Sequence, residues 1–181
     1  MLPKKEMPMR FAMLLCAGVL ITLPVMGTEK DKAMFVKHWQ MAKEFTLAVA
    51  DAMPADGYHF KPVTDEMSFG QLMMHIAAQN SDSCATATST KPLPGLSSET
   101  TPPDTDKQTA MRFLTLSFDK CAKAIQAMPA DQWDKEVYKF KGQPVTAGET
   151  LLYTFTHTAH HRGQAEVYLR VKNIKPPAWR F

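Results

Sequence analysis

This chain of 181 residues lacks the features that would place it in several large classes. It has no apolar run suited to a membrane span: Phe11 to Leu23 covers about 13 residues where a helix needs about 20. Lysine and arginine do not cluster in the body of the chain, so nothing points to nucleic acid or an anionic membrane as a partner. Strand signals are nearly absent; only Glu136 to Phe140 (EVYKF) alternates weakly, in keeping with a short extended piece. Cysteine is scarce, three residues in all, which excludes a disulfide-dense scaffold.

What is present begins with the N-terminus. Lys4, Lys5 and Arg10 precede the apolar run, Pro24 breaks it, and Val25-Met26-Gly27 offers a cleavage point before Thr28. That order predicts a secretory signal peptide over residues 1–27 and a single mature domain over 28–181, secreted or periplasmic in a bacterium. An uncleaved anchor is the rival, disfavoured by the short run. Cys16 follows Leu15, a poor lipoprotein signal because the residue before such a cysteine should be small. Without Lys4, Lys5, Arg10 and Glu6, the 21 basic and 18 acidic residues become 18 and 17, and the formal charge of +3 becomes +1. The mature length of about 154 residues suits one domain with a real core. Its two cysteines, Cys84 and Cys121, form an even count in an exported protein and predict a disulfide, with two buried free thiols as the other reading.

Four segments carry a helix-start signature, Ser/Thr followed three residues later by Glu, Gln or Asp: Thr28–Asp31, Ser68–Gln71, Thr105–Gln108 and Thr146–Glu149. Each opens a stretch of suitable length. The expected helices run over about 29–53, 68–88, 106–128 and 147–172, the last halted before Pro176-Pro177. In the first, Phe35, Trp39, Ala42, Val49 and Met53 recur at helical spacing. The fold class is therefore all-α, a four-helix bundle, with a Pro/Ser/Thr-rich link over 90–104 read as a surface loop. The chain also echoes itself. AMPAD occurs at 52–56 and 127–131; Tyr58 or Trp133 follows two residues later, and then a capped helix with glycine at its third position, SFGQ and TAGE. The sequence reads as two helix pairs with similar connections.

Three of the six histidines, His157, His160 and His161, lie within five residues. At about 100° per residue, His157, His161, Gln164 and Tyr168 share one stripe, with Arg162, Glu166 and Arg170 opposite. Because charged residues seek water, the histidine stripe is expected to face the interior. Imidazoles at i and i+4 can reach one cation, and so can the i, i+3 pair His157 and His160. Thr158 stands where a zinc protease of the HExxH type needs glutamate, which removes that reading. Spacing alone leaves open two core-edge histidines bonded to backbone or glutamine. His75 is the natural further ligand, yet its helical stripe contains Gln71, Gln79 and Asp82 and so could be polar. His38 and His59 lack comparable partners in the sequence and read as surface residues.

SFGQLMMHIA, HTAHHRGQAEVYLR, the terminal NIKPP and the lead-in YHFKP resemble the DinB-like (damage-inducible) family of metalloenzymes. The resemblance covers most of residues 30–177 and implies a four-helix bundle with a three-histidine metal site. It carries the ligands onto His75, His157 and His161 and leaves His160 as a non-ligating neighbour. The departure is the signal peptide, since relatives acting on bacillithiol or mycothiol are cytoplasmic.

Three neutral imidazoles would suit one divalent metal, Zn²⁺, Ni²⁺ or Fe²⁺, with positions left for water or substrate. Gln79, Asp82, Gln164 and Tyr168 are the expected groups that orient the imidazoles. Metal occupancy is expected to fall as pH drops below about 6.5. No Glu or Asp on the fourth helix shares the histidine stripe, so a general base is not evident. The expected function is a metal-dependent hydrolase or transferase acting on a small molecule through metal-activated water or thiol; the alternatives are a non-catalytic metal- or ligand-binding bundle and a purely structural one. The resemblance allows a homodimer.

Overall fold

The computed structural model describes residues 26–180. Four helices carry the architecture: α1 (Met26–Ala52), α2 (Phe69–Thr88), α3 (Lys107–Ala127) and α4 (Ala147–Val171). A hairpin of β1 (Glu136–Phe140) and β2 (Gln143–Thr146) precedes α4. The expected signal peptide and Cys16 lie outside the described residues, apart from Met26 and Gly27, which belong to α1. Among the described residues no helix is long and apolar enough to cross a membrane.

Two of the four expected helix starts hold as full capping boxes. Ser68 accepts from the Gln71 amide while the Gln71 side chain returns to the Ser68 amide; Thr146 and Glu149 do the same. The other two differ. Asp106, not Thr105, caps α3, its carboxylate accepting from the Thr109 amide and hydroxyl. A carboxylate beside the positive end of a helix, bonded to both donors of Thr109, is a stronger acceptor than the neighbouring hydroxyl. Helix α1 begins at Met26, so Thr28 lies inside it. The extended piece at 136–140 has a partner that the sequence did not announce. Phe140 pairs with Gln143 across Lys141 and Gly142, both at positive φ (49° and 81°), the geometry a two-residue hairpin demands.

Helix α1 packs on α3 and α4, and α2 packs on the same two, so α1 and α2 occupy opposite corners of the bundle, as do α3 and α4. The core includes Trp39, Phe45, Val49, Met53, Phe69, Ile76, Leu114, Phe118 and Leu151, all at most 1 % exposed. All five apolar positions read from the first helix, Phe35 to Met53, are buried. The Trp39 indole lies 4.8 Å from the Phe118 ring and donates to the Phe118 carbonyl at 3.1 Å, so a polar edge is satisfied inside the core. The sulfurs of Cys84 and Cys121 lie at disulfide distance between α2 and α3, with Cα atoms 5.6 Å apart.

The echo in the sequence is a structural repeat. Each AMPAD ends its helix and begins a 3₁₀ turn, at Ala55–Gly57 and Ala130–Gln132. Tyr58 and Trp133 then accept, through their carbonyls, from the Gly70 and Gly148 amides at 2.7 and 2.9 Å. The glycines are required: a Cβ at Gly70 would overlap the Thr105 carbonyl, and one at Gly148 the Trp133 indole. Ser68 matches Thr146 and Gly70 matches Gly148 at one constant offset, and the same offset pairs Asn80 with Thr158. Those two residues meet. Thr158 donates to Asn80 Oδ1 at 2.8 Å, both fully buried, where α2 packs on α4.

Candidate metal centre

Asn80 and Thr158 fix how far α2 slides along α4, and this register sets the histidines. One turn and a little more before Asn80 sits His75, and flanking Thr158 sit His157 and His161. The His75 ring lies 5.0 Å from that of His157 and 4.6 Å from that of His161, and the latter two are 4.3 Å apart. One ring nitrogen from each falls within 4.8 Å of the others. All three are half-buried, whereas His160 is exposed, its ring 4.8 Å from His161 on the outer side. Among the described residues no Asp or Glu joins this group.

Of the stripe, His157, His161 and Gln164 are half-buried where α4 packs on α2, while Tyr168 is buried in the core. The core face of α4 holds Leu151, Thr154, Thr158, Ala165, Tyr168 and Leu169. Arg162, expected in water, lies over the Phe45 ring at 4.4 Å and against Thr46 of α1. A guanidinium can cover an aromatic face while keeping its edge polar, so its charge does not force α4 to turn that side outward. Glu166 and Arg170 pair with each other at 3.6 Å near the surface.

The ring nitrogens are unevenly satisfied. His161 Nδ1 is 2.7 Å from Gln164 Oε1; the amide oxygen accepts only, so Nδ1 carries the proton and Nε2 presents the lone pair. His157 Nδ1 is buried without a hydrogen-bond partner. Burial, then the neighbouring His161, His75 and His160, pushes the His157 pKa down to about 3. Burial lowers those of His75 and His161 too, against the Gln164 bond for His161. All three are neutral at pH 7, the form a metal requires. Three neutral imidazoles with one nitrogen each within 4.8 Å of the others, and a buried His157 Nδ1 without a partner, fit a divalent ion. The expectation that occupancy falls just below pH 6.5 moves to lower pH, because the folded chain resists protonation there.

Of the four residues expected to orient the imidazoles, Gln164 alone hydrogen-bonds one among the described residues. Gln79 donates to Ser83 at 2.5 Å. Asp82 accepts from the Ser98 amide at 2.7 Å, which ties the 89–106 link to α2. Tyr168 donates to the Met67 carbonyl at 2.9 Å and packs on Phe60 and Phe69. Each stands on the right helix, but rotation about the helix axis or distance along it takes its polar atoms elsewhere. A residue that the reading had placed only beside the stripe, Tyr153, lies 5.8 Å from the His157 ring and lines a cleft of about 590 Å³ together with Gln79, Asp82 and Thr150. Its spacing of i−4 from His157 was the available signal. His59 is exposed as expected but is bonded to Asp104 at 2.6 Å. His38 is half-buried and lines a cavity.

Residues 38–165 match the DinB superfamily. A DinB-like protein from Bacillus subtilis, 23 % identical, is similar over 81 % of this chain and 97 % of its own, with a TM-score of 0.65. Another from Bacillus cereus ATCC 10987, 19 % identical, is similar over 80 % and 95 %, with a TM-score of 0.68. At these identities the likeness concerns the fold. No curated protein matches the chain.

Proposed function

The chain belongs to the DinB superfamily, and on that premise we propose that His75, His157 and His161 bind one divalent metal ion in an exported metal-dependent hydrolase or transferase. The observation that carries this reading is the convergence of three neutral imidazole nitrogens within 4.8 Å, with His157 Nδ1 buried and unbonded. Bound there, a metal would supply Lewis acidity to a coordinated water or thiol. The chain's own residues then do the rest. Gln164 fixes the His161 tautomer, and the register bond between Asn80 and Thr158 holds His75 opposite the pair on α4. The cleft that begins at Tyr153 and Gln79 gives a small molecule access from the side of the 89–106 link. Zinc, nickel and iron all suit an N₃ donor set.

That no Asp or Glu joins the group among the described residues favours a second reading, a non-catalytic metal-binding bundle. Both readings share the metal, and one panel tests it. Elemental analysis of untagged protein should find close to one metal per chain. His75→Ala, His157→Ala and His161→Ala should each fall far below that, and His160→Ala should remain near wild type. Loss of metal in His160→Ala alone would move the site to the i, i+3 pair. Turnover of a thiol or ester substrate by loaded protein, abolished with the metal, separates the enzyme from the binder.

A further inference from the structure

A cavity of about 650 Å³ opens between the first turns of α1 and α4, away from the three histidines. The repeat explains why it exists. In the first half, the segment before α3 lies across the start of α2: Gln71 donates to the Pro102 carbonyl, Ser68 donates to Asp104, and the Thr105 carbonyl sits over Gly70. By the AMPAD offset, the counterparts of residues 102–105 are residues 27–30, and these continue α1 as helix instead of crossing the start of α4. Beside Gly148 the Trp133 indole takes the place that the Thr105 carbonyl has beside Gly70, and the cavity opens next to it.

Its walls are aromatic. Phe35 stands edge-on to Trp133 at 6.0 Å and to Phe155 at 6.3 Å, and all three rings line the cavity. Met34 and Leu152, 55 % and 59 % exposed, form an apolar mouth. Carboxylates supply the charge. Asp31 and Asp134 border the cavity, neither in an ion pair among the described residues, while Glu149 is committed to the Thr146 cap. Among the described residues no lysine or arginine lines it, and His38 is its one basic side chain. Ring faces attract a cation, and an acidic rim both attracts it and repels anions. We infer that this cavity binds a small organic cation with an apolar or aromatic body, an ammonium held among Phe35, Trp133 and Phe155 with its charge towards Asp31 and Asp134. The site is separate from the histidine cluster and stands or falls without it.

The test follows the Trp133 indole N–H by NMR, assigned with Trp133→Phe, during titration with benzyltrimethylammonium, its uncharged isostere neopentylbenzene, and phenylacetate. The cation should shift this signal and bind about tenfold tighter than the isostere, the factor a desolvated cation–π contact supplies; phenylacetate should not bind. Asp31→Asn/Asp134→Asn should bring the cation down to the isostere's affinity, and the exposed single change Asp134→Asn should give part of that loss with the fold undisturbed. His157→Ala should bind the cation as wild type does. Equal affinity for cation and isostere, or no shift at Trp133, would overturn the inference. So would a dimer in sedimentation that Leu152→Arg dissociates, since the face would then belong to a second copy of the chain.

Discussion

Breaking the link between Cys84 and Cys121 should cost about 4 kcal/mol. The two cysteines are 37 residues apart in sequence, and the chain-entropy relation for a closed loop of that length gives about 4 kcal/mol at 25 °C. Such a loss is a large share of the ~5–15 kcal/mol that holds a domain of this kind together. Both side chains are buried, at 4 % and 1 % exposure, so a reductant reaches them only when α2 and α3 part. The experiment therefore reduces the protein in denaturant, refolds it with reductant present, and compares urea unfolding with that of the oxidised form. The midpoint should drop and the slope should steepen, because the uncrosslinked unfolded chain exposes more surface. Thermal unfolding should shift down by roughly 8–16 °C for a chain of this size. Cys84→Ala/Cys121→Ala should resemble the reduced protein in both forms of the assay. Two titratable thiols in protein isolated without reductant, or an unchanged midpoint after proven reduction, would refute the reasoning.

Thr158→Val should destabilise by about 1–3 kcal/mol in urea unfolding, because it strips the one bond of Asn80, whose Nδ2 is already buried without a partner; it should also lower metal occupancy if the α2–α4 register matters, and no effect on either quantity would remove Asn80 from the account. Metal-free protein should lose stability as pH falls from about 6.5 towards 3: the unfolded chain takes up protons on these histidines below about 6.5, while the folded chain holds His157 neutral to about 3, so the unfolded state binds more protons across that window. His157→Gln should flatten this decline in urea midpoints measured at pH 7.5 and 5, and parallel declines would contradict it. N-terminal sequencing of periplasmic protein should read TEKDK or begin within a few residues of it, whereas an intact Met1 on soluble cytoplasmic protein would defeat the export reading.

The sequence by itself determined what depends on neighbours in the chain. Capping boxes at Ser68 and Thr146 were legible because both partners lie within four residues, and the core of α1 was legible because a 3.6-residue period needs no knowledge of what it packs against. The spacing of His157 and His161 likewise put two imidazoles on one face. The tertiary structure decided everything that depends on how one helix is rotated and slid against another. It gave α4 a core face at Thr154 and Thr158, left His157 and His161 half-buried against α2, and laid Arg162 over Phe45. It sent Asp82 to the 89–106 link and Tyr168 to Met67, away from the imidazoles that their positions along the chain had suggested. His75 had a polar stripe and no local signal; it comes within 5.0 Å of His157 because α2 crosses α4 at Asn80 and Thr158, residues 78 apart in sequence whose hydrogen bond exists only once both helices are packed.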